Sequence, residues 1–172
     1  MVGSLEFIKS NSGSGVTSLS VTDCFSDKYD VYKITSTDWN NPSGNSDCKV
    51  RLIDSGGSVI SDTEYDHARQ NIRSYSGFTE VRETGVGYMG FAHYTQSGQT
   101  YSSGFEFFVF NPYDNSSYTV LTNQGGSQFN TSGLLGFKGI AVHKSAEQIT
   151  GFHLYSSQGH TQDIQISVFG VK

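Results

Sequence analysis

The chain has 172 residues, enough for one sizeable domain. Charged residues make up 16% of it, against roughly 25% in an average soluble protein, so Ser, Thr, Asn, Gln and Gly must carry the surface. A net charge of −5 with scattered basic residues argues against a nucleic-acid partner, which needs a basic stripe, and no apolar run approaches the ~20 residues of a membrane-spanning helix.

Ser4–Ile8 opens the chain as a short strand with Leu5 and Phe7 on one parity, and Asn11–Gly15 reads as a Gly/Ser loop. In Val16–Phe25, Leu19 and Val21 alternate with Ser18, Ser20 and Thr22, the period of two of a half-exposed strand. Tyr29–Thr35 repeats the pattern with Tyr32 and Ile34. Asp38–Asp47 holds the only Trp and an Asn-Pro-Ser-Gly turn, and is expected to be a loop. Cys48–Ser61 reads as a hairpin around Asp54-Ser55-Gly56-Gly57, whose glycines supply positive φ. Asp62–Ser76 fits either a helical turn or two or an irregular strand.

Thr79–Arg82 is a strand candidate, and Gly85–Thr100 is a Gly/Tyr-rich strand or long loop. Gly104–Asn111 is the most hydrophobic run. With Phe105, Phe107 and Val109 opposed by Phe108 and Phe110, it reads as a strand buried on both faces, central in its sheet or covered by a loop. Tyr118–Thr122 follows as a strand and Asn123–Ser132 as a polar loop. Residues 133–172 then propose three consecutive antiparallel strands around Ile140–Val142, Phe152–Leu154 and Ile164–Val168, separated by breaks at Lys144–Gln148 and Ser156–Thr161. The whole, residues 1–172, is expected to be a single all-β domain of about eight to eleven strands, a jelly-roll-like antiparallel β-sandwich.

Motifs for chemistry are sparse. The five histidines form no H-E-x-x-H or H-x-H pair, and His143 and His153, on neighbouring proposed strands, would still lack a third ligand. Asp62, Glu64 and Asp66 alternate but lack the glycine and closing glutamate of an EF-hand loop. There is no G-x-S-x-G elbow and no glycine-rich loop opening a helix. No catalytic residue, cofactor or metal is therefore assigned, and the chain is not expected to be an enzyme. Cys24 and Cys48 lie outside any C-x-x-C pair and are expected to be reduced and buried. Trp39, Tyr88, Phe91, Tyr94 and Tyr101 sit in polar surroundings and read equally as exposed contact anchors or as plugs at the ends of the sandwich. The segment Met1–Lys9 shows no basic region followed by an apolar one, so synthesis and use without a secretory step is expected.

The run Ser145–Tyr155, followed by a polar turn and Ile164–Lys172, resembles the ending of small β-sandwich virion proteins of tailed bacteriophages, common among phages of cyanobacteria and other aquatic bacteria. Ser4–Ile8 and Phe25–Tyr32 are similar to them as well. These motifs describe strands and turns rather than a site, so the resemblance implies a structural role in a virion, made in the host cytoplasm, and no catalytic residues. It leaves capsid and tail open; a compact, weakly charged β domain with many polar-aromatic loops is expected to be a capsid decoration or cement protein that contacts the major capsid protein or other virion proteins as a homo-oligomer, by preference a trimer. The alternative is a tail-fibre or receptor-binding module, with Trp39 or the Tyr88–Tyr101 aromatics stacking on a host-surface glycan.

Overall fold

A computed structural model describes residues 4–40, 46–95, 103–129 and 133–172. These form twelve strands and no helix: β1 (Leu5–Val16), β2 (Ser18–Val21), β3 (Val31–Asn40), β4 (Ser46–Asp54), β5 (Tyr65–Arg73), β6 (Gly77–Val86), β7 (Met89–Thr95), β8 (Ser103–Phe110), β9 (Thr119–Phe129), β10 (Gly133–His143), β11 (Ile149–Ser156) and β12 (Gln162–Val171). An eight-stranded sheet runs β1-β12-β3-β8-β9-β10-β5-β6, and a four-stranded sheet runs β2-β11-β4-β7.

Eight of these strands make a jelly roll. β1 pairs with β12, β2 with β11, β3 with β8 and β4 with β7, all antiparallel. That is one long hairpin, β1 to β4 out and β7, β8, β11, β12 back, rolled so that successive pairs fall in opposite sheets. The remaining strands are two insertions, β5-β6 and β9-β10, which both join the same edge and widen one sheet. The expected jelly-roll-like sandwich is thus the fold, with one sheet twice the width of the other.

The core follows from strand parity. Ile164, Ile166 and Val168 of β12, Tyr32 and Ile34 of β3, and Phe105, Phe107 and Val109 of β8 point inward from the wide sheet. Cys48, Val50 and Leu52 of β4 with Phe152 and Leu154 of β11 meet them from the narrow one. Phe107 sits at the centre, its ring 5.0 Å from Phe91 and 5.4 Å from Phe152 across the gap. Gly170 of β12 lies directly under the Tyr29 ring, where a Cβ would stand 2.5 Å from ring carbons. Both cysteines are buried, as expected, and are not joined to each other.

Several elements differ from the sequence reading. Asn11–Gly15 is no loop: β1 continues through it against β12, with bulges flanking Lys9 and Val16. β3 runs to Asn40 and β4 starts at Ser46, so only 41–45, outside the described residues, separate them in the expected Asp38–Asp47 loop. Of the two readings of Asp62–Ser76, the strand is correct, as β5. Asn123–Ser132 was expected to be a loop, yet β9 extends through Phe129 because β10 pairs with its whole length. The Cys48–Ser61 hairpin keeps its turn, where Gly57 (φ 81°) donates from its N–H to the Asp54 carbonyl at 3.1 Å, but its return arm is one bridge, Ile53 with Val59. The largest correction is at the C-terminal end. β10, β11 and β12 are not neighbours: β10 and β12 belong to the wide sheet and β11 to the narrow one. Each connection crosses the sandwich, which buries all three inward faces against partners from elsewhere in the chain.

Candidate functional site

The outer face of the wide sheet is where the molecule departs from an ordinary soluble sandwich. Antiparallel registry carries one row of side chains straight across it. Leu5 pairs with Val171, Val31 with Phe110, Phe110 with Val120, and Val120 with Val142. Val171, one residue past the Gly170–Tyr32 pair, lies beside Val31. Every position in that row is apolar, from β1 to β10. The next row reads Phe7, Phe169, Lys33, Phe108, Thr122, Ile140, Ala68 and Arg82. Phe7 is 59% and Ile140 62% exposed, and Phe108 and Phe110 of β8 are half-buried.

The belt has local order. Phe7 and Phe169 meet edge to face at 5.8 Å, and Phe108 stacks on Phe110 at 6.4 Å. Lys33 lies 5.6 Å over the Phe108 ring and ion-pairs with Glu106 at 2.7 Å. Gln124 Nε2 donates to the same carboxylate at 2.6 Å. Lys33 first and Gln124 second hold the Glu106 carboxyl below its ordinary pKa. A polar row, Thr35, Glu106, Gln124, Lys138, Gln70 and Glu80, borders the belt. Beyond it Ile72 faces Phe78, which is 69% exposed. β8 is central in its sheet, between β3 and β9, as one of the two readings had it, and no described element covers its half-buried outer side. Monomers seldom leave so continuous an apolar surface open without using it.

The narrow sheet shows a different outer face. Lys49 Nζ stands 3.5 Å over the Tyr88 ring, and the Arg51 guanidinium 4.8 Å over Tyr155. Tyr155 stacks on His153, whose Nδ1 lies 2.8 Å from the Ser20 hydroxyl. Arg51 Nε donates to the Gly87 carbonyl at 2.8 Å. Partial burial lowers the pKa of Lys49, and burial followed by the Arg51 charge lowers that of His153. Burial, then the hydrogen bond to Glu83, pushes the Tyr88 hydroxyl up to about 12. This is a preorganised set of cations on aromatic rings, partly desolvated.

The anticipated aromatic anchors divide. Trp39 and Phe91 are each 1% exposed and belong to the core, so neither is a surface anchor. Trp39 packs edge to face on Phe105 at 5.9 Å, and the Ser103 hydroxyl donates to its carbonyl at 2.9 Å. Tyr88 is half-buried on the narrow sheet's outer face. Tyr94 lies in β7 with its side chain outside the described residues, and Tyr101 lies outside them altogether. His143 and His153 fall in opposite sheets and do not approach. Asp62, Glu64 and Asp66 do not converge either: Asp66 accepts from the Gly85 N–H at 2.8 Å and pairs with Lys144 at 2.8 Å, while Glu64 turns to His143. Sequence reasoning missed the belt, whose signal was present in the two-sided apolar pattern of β8 and in Phe7, Val120 and Ile140 opposite the core parity.

No protein-family model matches this chain, and no curated protein matches it. Among solved structures it is similar to the CBM2 module of the evolved Dit of Lactobacillus casei BL23 phage J-1, at 9% identity over 90% of this chain and 69% of that one, with a TM-score of 0.17. It is also similar to the VP2 subviral particle of infectious bursal disease virus, at 13% identity over 97% of this chain and 36% of that one, with a TM-score of 0.15. The chain therefore spans about a third of the VP2 chain. Likenesses this remote carry no argument about what the chain does.

Proposed function

We propose that this chain is a structural protein of a phage virion, a capsid decoration or cement protein that docks through the outer face of its wide sheet. The observation that carries the reading is the apolar belt from β1 to β10, bordered by a polar row of mixed charge. The belt, five interstrand steps of about 4.8 Å by about four residues of strand, covers of the order of 300 Å², and it lies within a sheet face of the order of 800 Å², the size one partner contributes to a standard specific interface. The resemblance of both ends of the chain to small phage β-sandwich proteins supplies the setting. The partner is the major capsid protein or another virion protein presenting a flat apolar surface, with the chain itself as a homo-oligomer, by preference a trimer. Such a role asks for shape and contact and for no reaction.

The test is sedimentation of the purified chain with phage particles stripped of it. The native chain is expected to co-sediment in many copies per particle. Ile140→Asp combined with Phe7→Asp, both on exposed belt positions, is expected to abolish co-sedimentation with little change in melting temperature. Undiminished binding by this variant would remove the belt from the proposal, and absence of the native chain from purified particles would remove the virion role.

A second reading, a receptor- or glycan-binding module of the tail, is favoured by the Lys49–Tyr88 and Arg51–Tyr155 pairs on the narrow sheet. Glycan-array binding lost in Tyr88→Ala would select it. Trp39, being buried, has no part in it.

A further inference from the structure

Two segments far apart in sequence converge at one end of the sandwich, one bringing Glu64 and the other His143 with Glu147 four residues on. Glu64 precedes β5, His143 ends β10, and Glu147 lies in the connection to β11. His143 Nε2 stands 3.2 Å from Glu64 Oε2 and 3.6 Å from Glu147 Oε1, and one ligand atom from each residue lies within 4.8 Å of the other two. His143 is wholly buried, while the two glutamates are partly exposed, so the cluster is open to solvent on its carboxylate side.

Its base is stiff. The His143 ring lies on Tyr65 at 4.8 Å, and Tyr65 is pinned by its hydroxyl, which accepts from Leu52 N–H at 3.2 Å and donates to the Ile60 carbonyl at 3.1 Å. The Lys144 N–H donates to the Glu64 carbonyl at 2.8 Å, tying the connection after β10 to the start of β5. Hydrogen bonding within the trio does not account for it. Nε2 is within hydrogen-bond reach of Glu64, but 3.6 Å is too far for a bond to Glu147. His143 Nδ1 is buried with no hydrogen-bond partner, so the ring's polar contacts lie at the end that faces the carboxylates. Lys144, the adjacent cation, is engaged with Asp66. Two carboxylates are thus drawn together on one buried imidazole nitrogen.

A divalent cation answers this arrangement. Zinc binds imidazole nitrogen and carboxylate oxygen at about 2.0–2.2 Å in tetrahedral sites, which places ligand atoms about 3.4 Å apart. The two distances from His143 Nε2 bracket that separation, and a glutamate rotamer change closes the third. Its charge also neutralises both carboxylates. We propose that Glu64, His143 and Glu147 form a binding site for a zinc-class divalent transition-metal ion, with a fourth position left to water. It would clamp the start of β5 to the β10–β11 connection, independently of whatever the belt contacts.

The experiment titrates the metal-free full chain with Zn²⁺ by calorimetry and with Co²⁺ by visible absorption, where low-symmetry four-coordinate Co²⁺ gives intense bands. One equivalent is expected to bind, with a raised melting temperature reversed by EDTA. Glu147→Gln and Glu64→Gln, at partly exposed positions and so compatible with folding, are each expected to weaken binding at least tenfold, whereas His160→Ala leaves it unchanged. No binding at millimolar metal would overturn the proposal. So would binding that survives both glutamate substitutions, since the ion would then lie elsewhere.

Discussion

Glu6 shows how single residues stitch the sheet edge. Lys28 at 2.6 Å and Lys172 at 2.9 Å both pair with its carboxylate, and these contacts, Lys28 foremost, lower its pKa to about 2 from an ordinary 4.5. A carboxylate whose pKa falls on folding contributes stability above its unfolded pKa and loses it as pH drops toward the folded value. The melting temperatures of the native chain and Glu6→Gln are therefore expected to differ at pH 6 and to converge between pH 4.5 and 2; a constant gap would deny the pairs any role. The Glu6 side chain is 35% exposed and its partner Lys28 59%, so the effect is small and shrinks with salt. Cys24 tests burial instead. Desolvation pushes its thiol up to about 12, so a thiol reagent at pH 8 is expected to leave it intact in the folded chain and to modify it on unfolding. The burial of both cysteines was legible from the residue type, since a thiol outside a disulfide packs as a small hydrophobe. Trp39 was not, because the Asn-Pro-Ser-Gly that follows it suggested a loop already begun, whereas β3 carries it into the core.

At the scale of elements, legibility tracked how far buried meant apolar. β12, β11 and β4 were visible because their inward parity is greasy. β5 was ambiguous because its inward parity is Tyr65, His67, Arg69 and Asn71, all buried, while its outward parity includes Ala68 and Ile72. Its polar interior meets tertiary partners that no local pattern reveals: Glu83 lies 3.2 Å from His67, and Asp47 lies 3.7 Å from Arg69. β8 gives the complementary lesson. Its two-sided apolar pattern was readable, but which side is core and which is contact surface depends on the roll. A pair of substitutions separates the two surfaces. Phe107→Ala, in the centre of the core, is expected to cost about 3–5 kcal/mol of unfolding free energy. Ile140→Ser, in the belt, should stay within about 0.5 kcal/mol. Urea titration of both variants checks this, and comparable losses would mean that the belt is packed within the monomer.

For the whole molecule, the jelly roll makes its stability depend on strands that meet late. The chain predicted a sandwich because alternation and turn spacing are local, but sheet membership is not: β12 sits between β1 and β3, so no strand of its own half of the chain flanks it. Its side chains Ile164, Ile166 and Val168 fill the core opposite β11 and β4. Without it, β1 loses its partner and β3 one of its two, and the backbone groups they expose have no other strand to bond. A fragment ending at residue 161 is thus expected to show no cooperative thermal transition, and a synthetic peptide of residues 162–172 should restore one in proportion to its concentration. The intact chain should refold in milliseconds to seconds rather than microseconds, since closing the roll requires contacts between distant segments. A cooperative melt from the fragment alone would place the stabilising contacts in the β9-β10-β5-β6 extension instead, and the extension, not the roll, would then be the unit that folds first.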